Sequence, residues 1–272
     1  MSNKKPIGIF DSGFGGLTVA RAVMDLLPAE DIVYFGDTAR YPYGPKPLNE
    51  VREFAFQIVE YLINEHDVKF LVVACNTAAA AALDELSAET SVPIIGVIAP
   101  GAQAAIDVSR TGQIGVIGTV GTINSGAYTR AFSTLSGGEI RPMTLACPGF
   151  VEFVEKGEAS GEQLQVLAER LLAPIVSANV DTLLLGCTHY PYLARVIGQV
   201  VGSDVVLVSS ADETAFEVSR QLTEMDLLLK DEKEGKRVFI SSGDVSWFAE
   251  VGERLFGPEL ASAKPHEWNP ST

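Results

Sequence analysis

The segment VVACNTAAAAALDEL places Cys75 between an apolar run and an alanine-rich stretch. The apolar run predicts a buried strand and the alanines predict a helix, so Cys75, Asn76 and Thr77 fall at the helix N-terminus. Unpaired N–H groups and the positive end of the helix dipole favour an anion there, and they make a thiol easier to ionise. Two interpretations follow: a reactive thiol beside an anion site, or a helix capped by Asn76 or Thr77 with Cys75 as a small buried residue.

The segment LLLGCTHYP has the same layout, with Cys187 leading into Thr188 and His189. The leucines predict a buried strand, and ligands of open α/β sheets bind where such strands end. A Cys-x-His pair supplies only two metal ligands and no second pair has suitable spacing, so we expect no metal. A Cys–His nucleophilic hydrolase is an alternative. It does not explain why Cys75 occupies the equivalent place in the other half of the chain.

Two further motifs bring polar groups and glycines to the ends of predicted strands. IGIFDSGFGGLTV places Asp11 and Ser12 before a glycine-rich turn that lacks the lysine of a P-loop and the full GxGxxG spacing. The glycines let the backbone approach a small ligand, and Asp11 suits a thiol better than a phosphate. GDTARYPYGPK is a loop rich in Gly, Pro and Tyr, whose Tyr43 and Gly44 could cover a pocket or serve only the structure.

A fifth motif, CPGFVEFVEKGE, follows a strand in the second half of the chain. Glu152 and Glu155 are three residues apart, on one face of a helix, and this spacing alone is typical of a solvated surface. Cys147 precedes a proline in a turn, and we assign it no chemical role.

Composition restricts the class of protein. The chain has 272 residues, a net charge of −15 and 47% hydrophobic residues, which suits one large or two medium α/β domains. The negative charge argues against nucleic acid and anionic membranes as partners and leaves a small molecule. Three cysteines without CxxC spacing do not indicate a disulfide framework. Without a signal-peptide pattern or an apolar stretch of ~20 residues, we expect a cytoplasmic protein.

Strands and helices must position these motifs, and they alternate along the chain. Helix-like stretches such as LNEVREFAFQIVEYLINE separate short apolar runs, which predicts mainly parallel sheets covered on both faces. The runs are PIGIF, DIVYF, KFLVVA, VPIIGVI, QIGVIG, IRPMTLA, DTLLLG, DVVLVS and RVFIS.

The runs also repeat as a set. PIGIFDSGFGG is echoed by QIGVIGTVGT and FLVVACNT by TLLLGCTH, with the cysteines 112 positions apart, from 75 to 187. Such a long period predicts two pseudo-symmetric, doubly wound α/β lobes with boundaries near Pro100 and Ala211 and a site in the cleft between them. The closing segment RVFISSGDVSWFAEVGERLFG has no counterpart, so we expect one lobe to take it as an extra strand and helix. Composition alone could also give similar runs, but the equivalent cysteines favour duplication.

Taken together, the motifs FDSGFGGLTV, GDTARYPYG, ACNTA, CPGFVEFVEKGE, GCTHYP and SSGD resemble those of the aspartate/glutamate racemase family. The resemblance covers nearly the whole chain. It implies a cofactor-independent isomerase that interconverts L- and D-glutamate and supplies D-glutamate for peptidoglycan. His189 favours glutamate over aspartate, because aspartate racemases usually carry an acidic residue at that place. The resemblance also implies that the tail returns to the first lobe, giving lobes of 1–99 with 211–272 and of 100–210.

The same resemblance assigns roles to individual residues. It implies Cys75 and Cys187 as the acid/base pair, with Asp11, Glu155 and His189 as their helpers. The substrate contacts that it implies are Asp11, Ser12, Tyr43, Gly44, Asn76, Thr77, Thr188 and His189.

Inversion of an α-carbon explains why two thiols are needed. One group removes the proton from one face of the carbon while the other supplies a proton to the opposite face, so the sulfurs should lie about 6–7 Å apart. Three alternatives remain open: an aspartate racemase of the same mechanism, a non-catalytic anion-binding protein, and a pyridoxal-phosphate racemase. The pyridoxal-phosphate cofactor needs a lysine, and none of the residues to which the motifs assign a role is a lysine. A homodimer is compatible with the sequence, which does not determine the oligomeric state.

Overall fold

The computed structural model describes residues 4–230, 233–260 and 262–268. Within these ranges the strands form two separate sheets, and all of their pairings are parallel. The strands are β1 (Ile7–Asp11), β2 (Ile32–Gly36), β3 (Phe70–Val73), β4 (Ile94–Gly96), β5 (Ile114–Gly118), β6 (Met143–Ala146), β7 (Thr182–Gly186), β8 (Val206–Ser209), β9 (Arg237–Ser241) and β10 (Lys264–Pro265).

Helices connect the strands, as parallel pairing requires. They are α1 (Leu17–Leu26), α2 (Leu48–His66), α3 (Asn76–Glu89), α4 (Ile98–Val108), α5 (Val120–Asn124), α6 (Ala127–Leu135), α7 (Phe150–Glu155), α8 (Glu162–Ser177), α9 (Ala194–Val201), α10 (Ser210–Glu224) and α11 (Val245–Phe256), with short 3₁₀ helices at Tyr190–Leu193 and Pro258–Leu260. None of the helices in the described ranges is both long and apolar enough to cross a membrane.

The two sheets repeat one strand order, which confirms the predicted two-lobed α/β fold. The first sheet has the order β10-β9-β2-β1-β3-β4, and the second has the order β6-β5-β7-β8. The segment β2-β1-β3-β4 therefore corresponds to the whole second sheet. As predicted, the closing segment forms an extra strand and helix, β9 and α11, and β9 pairs with β2. Strand β10, which pairs with β9, was not predicted.

Burial on both faces explains the continuous apolar runs of the central strands. In β1, Ile7 and Ile9 lie in one apolar cluster while Phe10 lies in another, because successive side chains point to opposite faces of a sheet. The cluster that contains Phe10 also contains Val116 and Leu184 of the second sheet. The hydrophobic core is therefore continuous between the lobes and holds the two sheets in a defined relation.

Two helices occupy the junction between the lobes. Helix α4 packs against α6, β7 and β8 of the second lobe, and α10 packs against α1 of the first lobe and against α4. These contacts support a division near residues 100 and 211, which we keep as a proposal for the domain limits.

Candidate active site

A cavity of about 90 Å³ lies between the lobes. Cys75 follows β3 and Cys187 follows β7, the corresponding strand of the repeat, and both side chains line this cavity. Both are nearly buried, with 5% and 6% of their surface exposed. Other residues predicted from the sequence also line it: Ser12, Tyr43, Gly44, Asn76, Thr77, Thr188 and His189.

Cys75 itself is the N-cap residue of α3. Its backbone is extended, and its sulfur accepts a hydrogen bond from the backbone N–H of Ala78 at 3.5 Å. The alternative in which Asn76 or Thr77 caps the helix is therefore wrong. The hydroxyl oxygen of Ser12 lies 3.8 Å from the sulfur. Burial, with the nearby charge of Asp11, raises the pKa of Cys75 to about 12, so Cys75 is a neutral thiol at neutral pH.

Asp11, the last residue of β1, lies fully buried behind the cavity wall. Its Oδ2 accepts a hydrogen bond from the N–H of Gly13 at 2.9 Å, whereas its Oδ1 is buried without a partner among the described residues. Burial raises the pKa of Asp11, although the charge of His189 and backbone N–H groups oppose this shift. A Cβ at Gly16 would lie 2.5 Å from the Asp11 Cβ, so the turn can pass this closely only with glycine.

Cys187 lies beside a chain of two further side chains. Its sulfur is 3.8 Å from Nδ1 of His189, and Nε2 of His189 is 3.2 Å from Oε1 of Glu155. Burial alone would lower the pKa of His189, but the contacts with Cys187 and Glu155 raise it to about 10. His189 is therefore an imidazolium at neutral pH. Glu155 ends α7 with its side chain only 11% exposed, so its interpretation as a solvated surface residue is wrong.

The glycine turn of the first lobe touches this chain directly. A Cβ at Gly15 would lie 2.3 Å from Oγ1 of Thr188 and 2.5 Å from Nδ1 of His189. Any larger residue at this position would displace His189, so glycine allows the two lobes to meet here.

Asn76 and Thr77 contact the second lobe as well as the cavity. Nδ2 of Asn76 donates to the hydroxyl of Tyr128 at 2.8 Å, and its Oδ1 is buried without a partner among the described residues. The hydroxyl of Thr77 lies 3.0 Å from that of Thr119 and 3.1 Å from that of Thr122. These contacts hold the first turn of α3 against the opposite lobe.

Tyr43 and Gly44 line the cavity from the loop after β2. The hydroxyl of Tyr43 donates to the buried carboxylate of Asp37, so this hydroxyl is directed away from the cavity. The carbonyl of Gly44 accepts from the N–H of Gly121 at 2.9 Å, which ties the loop to the second lobe.

Several residues of the cavity wall were not predicted from the sequence. Thr119 had a signal, because it follows β5 in the echo of the segment that contains Asp11. Cys147, buried in the core of the second lobe, also reaches the wall, and burial raises its pKa to about 12. The wall residues that were not predicted are Tyr41, Pro42, Pro45, Thr119, Val120, Cys147, Pro148, Gly149, Val151, Glu152 and Tyr190.

Within residues 4–230, 233–260 and 262–268, no group of three or more His, Cys, Asp or Glu side chains is arranged to hold a metal ion.

Comparison with known proteins places the chain in a family. The sequence model of Asp/Glu/Hydantoin racemases matches residues 17–217. A glutamate racemase from Corynebacterium diphtheriae is 48% identical over 262 residues, which are 96% of this chain and 98% of the relative. The chain therefore belongs to the Asp/Glu/Hydantoin racemase family.

Solved structures agree with this assignment. A glutamate racemase isoform from Bacillus anthracis superposes with a TM-score of 0.90 at 42% identity and covers 98% of both chains. The glutamate racemase of Francisella tularensis, solved in complex with D-glutamate, has a TM-score of 0.89 at 34% identity and covers 99% of both chains.

Proposed function

We propose that this protein is a glutamate racemase that interconverts L- and D-glutamate without a cofactor. The observation that carries the proposal is the pair of thiols, Cys75 and Cys187, which line one cavity from corresponding strands of the two lobes. A hydrolase needs one nucleophile, whereas inversion at carbon needs a proton-transfer group on each face.

In the proposed reaction one sulfur is a thiolate and the other is a thiol. The thiolate takes the α-proton, so an S–H bond forms, the C–H bond breaks and its electron pair stays on the substrate as a carbanion. The opposing thiol then gives its proton to the other face of the carbon and becomes the thiolate. No electrons are gained or lost overall, and the two sulfurs have exchanged their protonation states.

Neighbouring groups support each half of this exchange. Asp11, whose pKa is raised by burial and whose Oδ1 has no partner among the described residues, would accept the proton of Cys75 as that thiol becomes a base. The imidazolium of His189, held by Glu155, would stabilise a negative sulfur at Cys187. A buried cavity strengthens both effects, because charges in a low dielectric interact more strongly.

Neutral donors would bind the two carboxylates of glutamate. No Lys or Arg is among the described residues of the cavity wall. Backbone N–H groups in the first turn of α3 and the hydroxyls of Ser12, Thr77 and Thr188 would donate to these carboxylates instead. Such binding suits a strongly acidic protein, which repels an anion at long range.

The proposal also assigns a cellular role, the supply of D-glutamate for peptidoglycan. A cytoplasmic location and a homodimeric assembly stay predictions from the sequence.

Optical activity provides the direct test. Starting separately from L- and D-glutamate, both solutions should approach the racemate, and the product formed in deuterated water should carry one α-deuterium per inversion. Aspartate at the same concentration should react much more slowly, and faster turnover of aspartate would reassign the substrate. Ligand binding without any loss of optical rotation would overturn the proposal in favour of a binding protein.

A further inference from the structure

A buried carboxylate lies behind the loop that carries Tyr43 and Gly44. Asp37 follows β2, is fully buried, and does not line the cavity. Its backbone N–H donates to the carbonyl of Asp11 at 3.0 Å, which places it directly beside the candidate site. Two side chains donate a hydrogen bond to each of its carboxylate oxygens.

The Oδ2 atom of Asp37 binds the loop itself. Nε of Arg40 donates to it at 2.7 Å, and the hydroxyl of Tyr43 is its second donor. Burial and the adjacent Asp37 raise the pKa of Tyr43 well above its ordinary value, so the phenol stays a donor at every physiological pH. The position of the backbone at Tyr43 and Gly44 therefore depends on the orientation of this carboxylate.

The Oδ1 atom binds a distant part of the chain. The hydroxyl of Ser242, just after β9, donates to it at 2.6 Å, and the indole N–H of Trp268, just after β10, donates at 2.9 Å. The Trp268 ring also lies over the guanidinium of Arg40, 3.9 Å from its Cζ, and the ring of Phe54 lies 4.1 Å from the same atom. Trp268, which follows β10, therefore contacts both Asp37 and Arg40. Strand β10 itself has no counterpart in the second sheet.

We propose that Trp268 and Ser242 are positioning residues for the substrate site, acting through Asp37 on the loop that contributes Tyr43 and Gly44. This inference rests on the proposed racemase function. Donors on both oxygens hold the carboxylate in one orientation, and loss of a donor from Oδ1 lets it turn and the loop shift. Among the described residues, Tyr43 and Gly44 line the cavity without a hydrogen bond to either sulfur, so their displacement should weaken binding of substrate and transition state alike.

The test uses Trp268→Phe in the full chain, which keeps an aromatic ring near Arg40 and removes the N–H donor. Because a hydrogen bond to a charged group is lost, KM should rise about 5- to 30-fold in both directions while kcat changes less than about twofold. Ser242→Ala, which removes the other donor to Oδ1, should also raise KM with little change in kcat. This variant replaces Trp268→Phe in the test if Trp268→Phe does not fold.

A matched control separates positioning from stability. Asp244 caps α11 by accepting hydrogen bonds from the N–H groups of Ser246 and Trp247, at 2.8 and 3.0 Å, and it is not among the described hydrogen-bond partners of Asp37. Asp244→Ala should lower the melting temperature and leave KM unchanged well below that temperature. A merely structural role for Trp268 predicts this same pattern for Trp268→Phe, and that result would overturn the inference.

A double-mutant cycle tests the route through Asp37. Tyr43→Phe removes the loop's donor on Oδ2, so the doubly substituted Tyr43→Phe, Trp268→Phe protein should have nearly the KM of the worse single variant. Multiplicative effects on KM would show that Trp268 does not act through the carboxylate and would overturn the route. An inactive wild-type protein would instead end the racemase proposal and this inference with it.

Discussion

Cys75 and Cys187 occupy corresponding positions of a duplicated scaffold, yet their surroundings differ. Cys75 caps a 14-residue helix and lies beside a buried carboxyl group, and its pKa is raised to about 12. Cys187 is followed by the 3₁₀ helix Tyr190–Leu193 and lies beside an imidazolium, that of His189. Duplication accounts for the shared position of the sulfurs, and the residues after each strand account for the difference in charge.

This difference has a chemical consequence for a two-base reaction. Two identical environments would favour two thiols or two thiolates, and neither combination can start the exchange. A carboxyl group beside Cys75 disfavours negative charge on that sulfur, whereas a cation beside Cys187 stabilises negative charge when that sulfur takes part in proton transfer. In the proposed reaction this asymmetry prepares the two sulfurs for opposite roles, and four experiments test the difference between them.

The largest effect should come from removing either sulfur. Cys75→Ala and Cys187→Ala should each lower racemisation about 10³-fold or more, since each leaves one face of the carbon without a proton-transfer group. Rates from optical rotation, with circular dichroism as a check of folding, measure this. Cys147→Ala is the matched control, a third cysteine without an assigned role, and should keep most of the activity. Near-normal racemisation in either of the first two variants would reject the two-thiol scheme.

Replacing the helper groups should have a smaller and directional effect. Asp11→Asn and His189→Asn should each lower kcat about 100-fold, because each loses a group that assists one sulfur. The equilibrium constant between enantiomers is one, so kcat/KM stays equal in both directions. A comparison of kcat/KM therefore cannot show which direction a helper group assists, and an isotope effect is needed. In Asp11→Asn the α-deuterium isotope effect should increase for the enantiomer whose α-proton Cys75 removes. In His189→Asn it should increase for the other enantiomer, whose α-proton Cys187 removes. An equal increase for both enantiomers in each variant would contradict the assignment of one helper to each sulfur.

Alkylation should distinguish the two thiols by about tenfold. At neutral pH iodoacetamide should modify Cys187 before Cys75, because burial and the charge of Asp11 keep Cys75 protonated, whereas the imidazolium of His189 stabilises negative charge that develops on the other sulfur as it attacks. Peptide mapping by mass spectrometry after short exposure gives both rates, and D-glutamate should slow both. Faster modification of Cys75 than of Cys187 would contradict the proposed difference between the two thiols.

The smallest effect concerns stability against pH. The pKa of His189 is raised from about 6.5 to about 10, so its contribution to the free energy of unfolding is complete below about 6.5 and is lost as pH rises to about 10. The stability difference between wild type and His189→Gln should therefore shrink by at least about 1 kcal/mol across this range. Urea denaturation at several pH values measures it, and a constant difference would mean that His189 is neutral in the fold.

Much of the architecture could be predicted because it depends on local sequence patterns. Apolar runs and helical periodicity are properties of neighbouring residues, so strands β1 to β9, the repeat and the extra β9–α11 unit were predicted. The sulfur positions followed for the same reason, since each comes directly after a strand whose burial is visible in its composition. The two-residue strand β10 has no such pattern and was missed.

Other features depend on contacts between distant parts of the chain. Ser242 and Trp268 reach Asp37 from 205 and 231 residues away, and no local signal announces either hydrogen bond. The spacing of Glu155 suggested a solvated surface, and only packing against His189 makes it a partner of the imidazolium. Local periodicity sets which segments become buried, whereas the charge that a buried group carries depends on its neighbours in space, and folding alone brings those together.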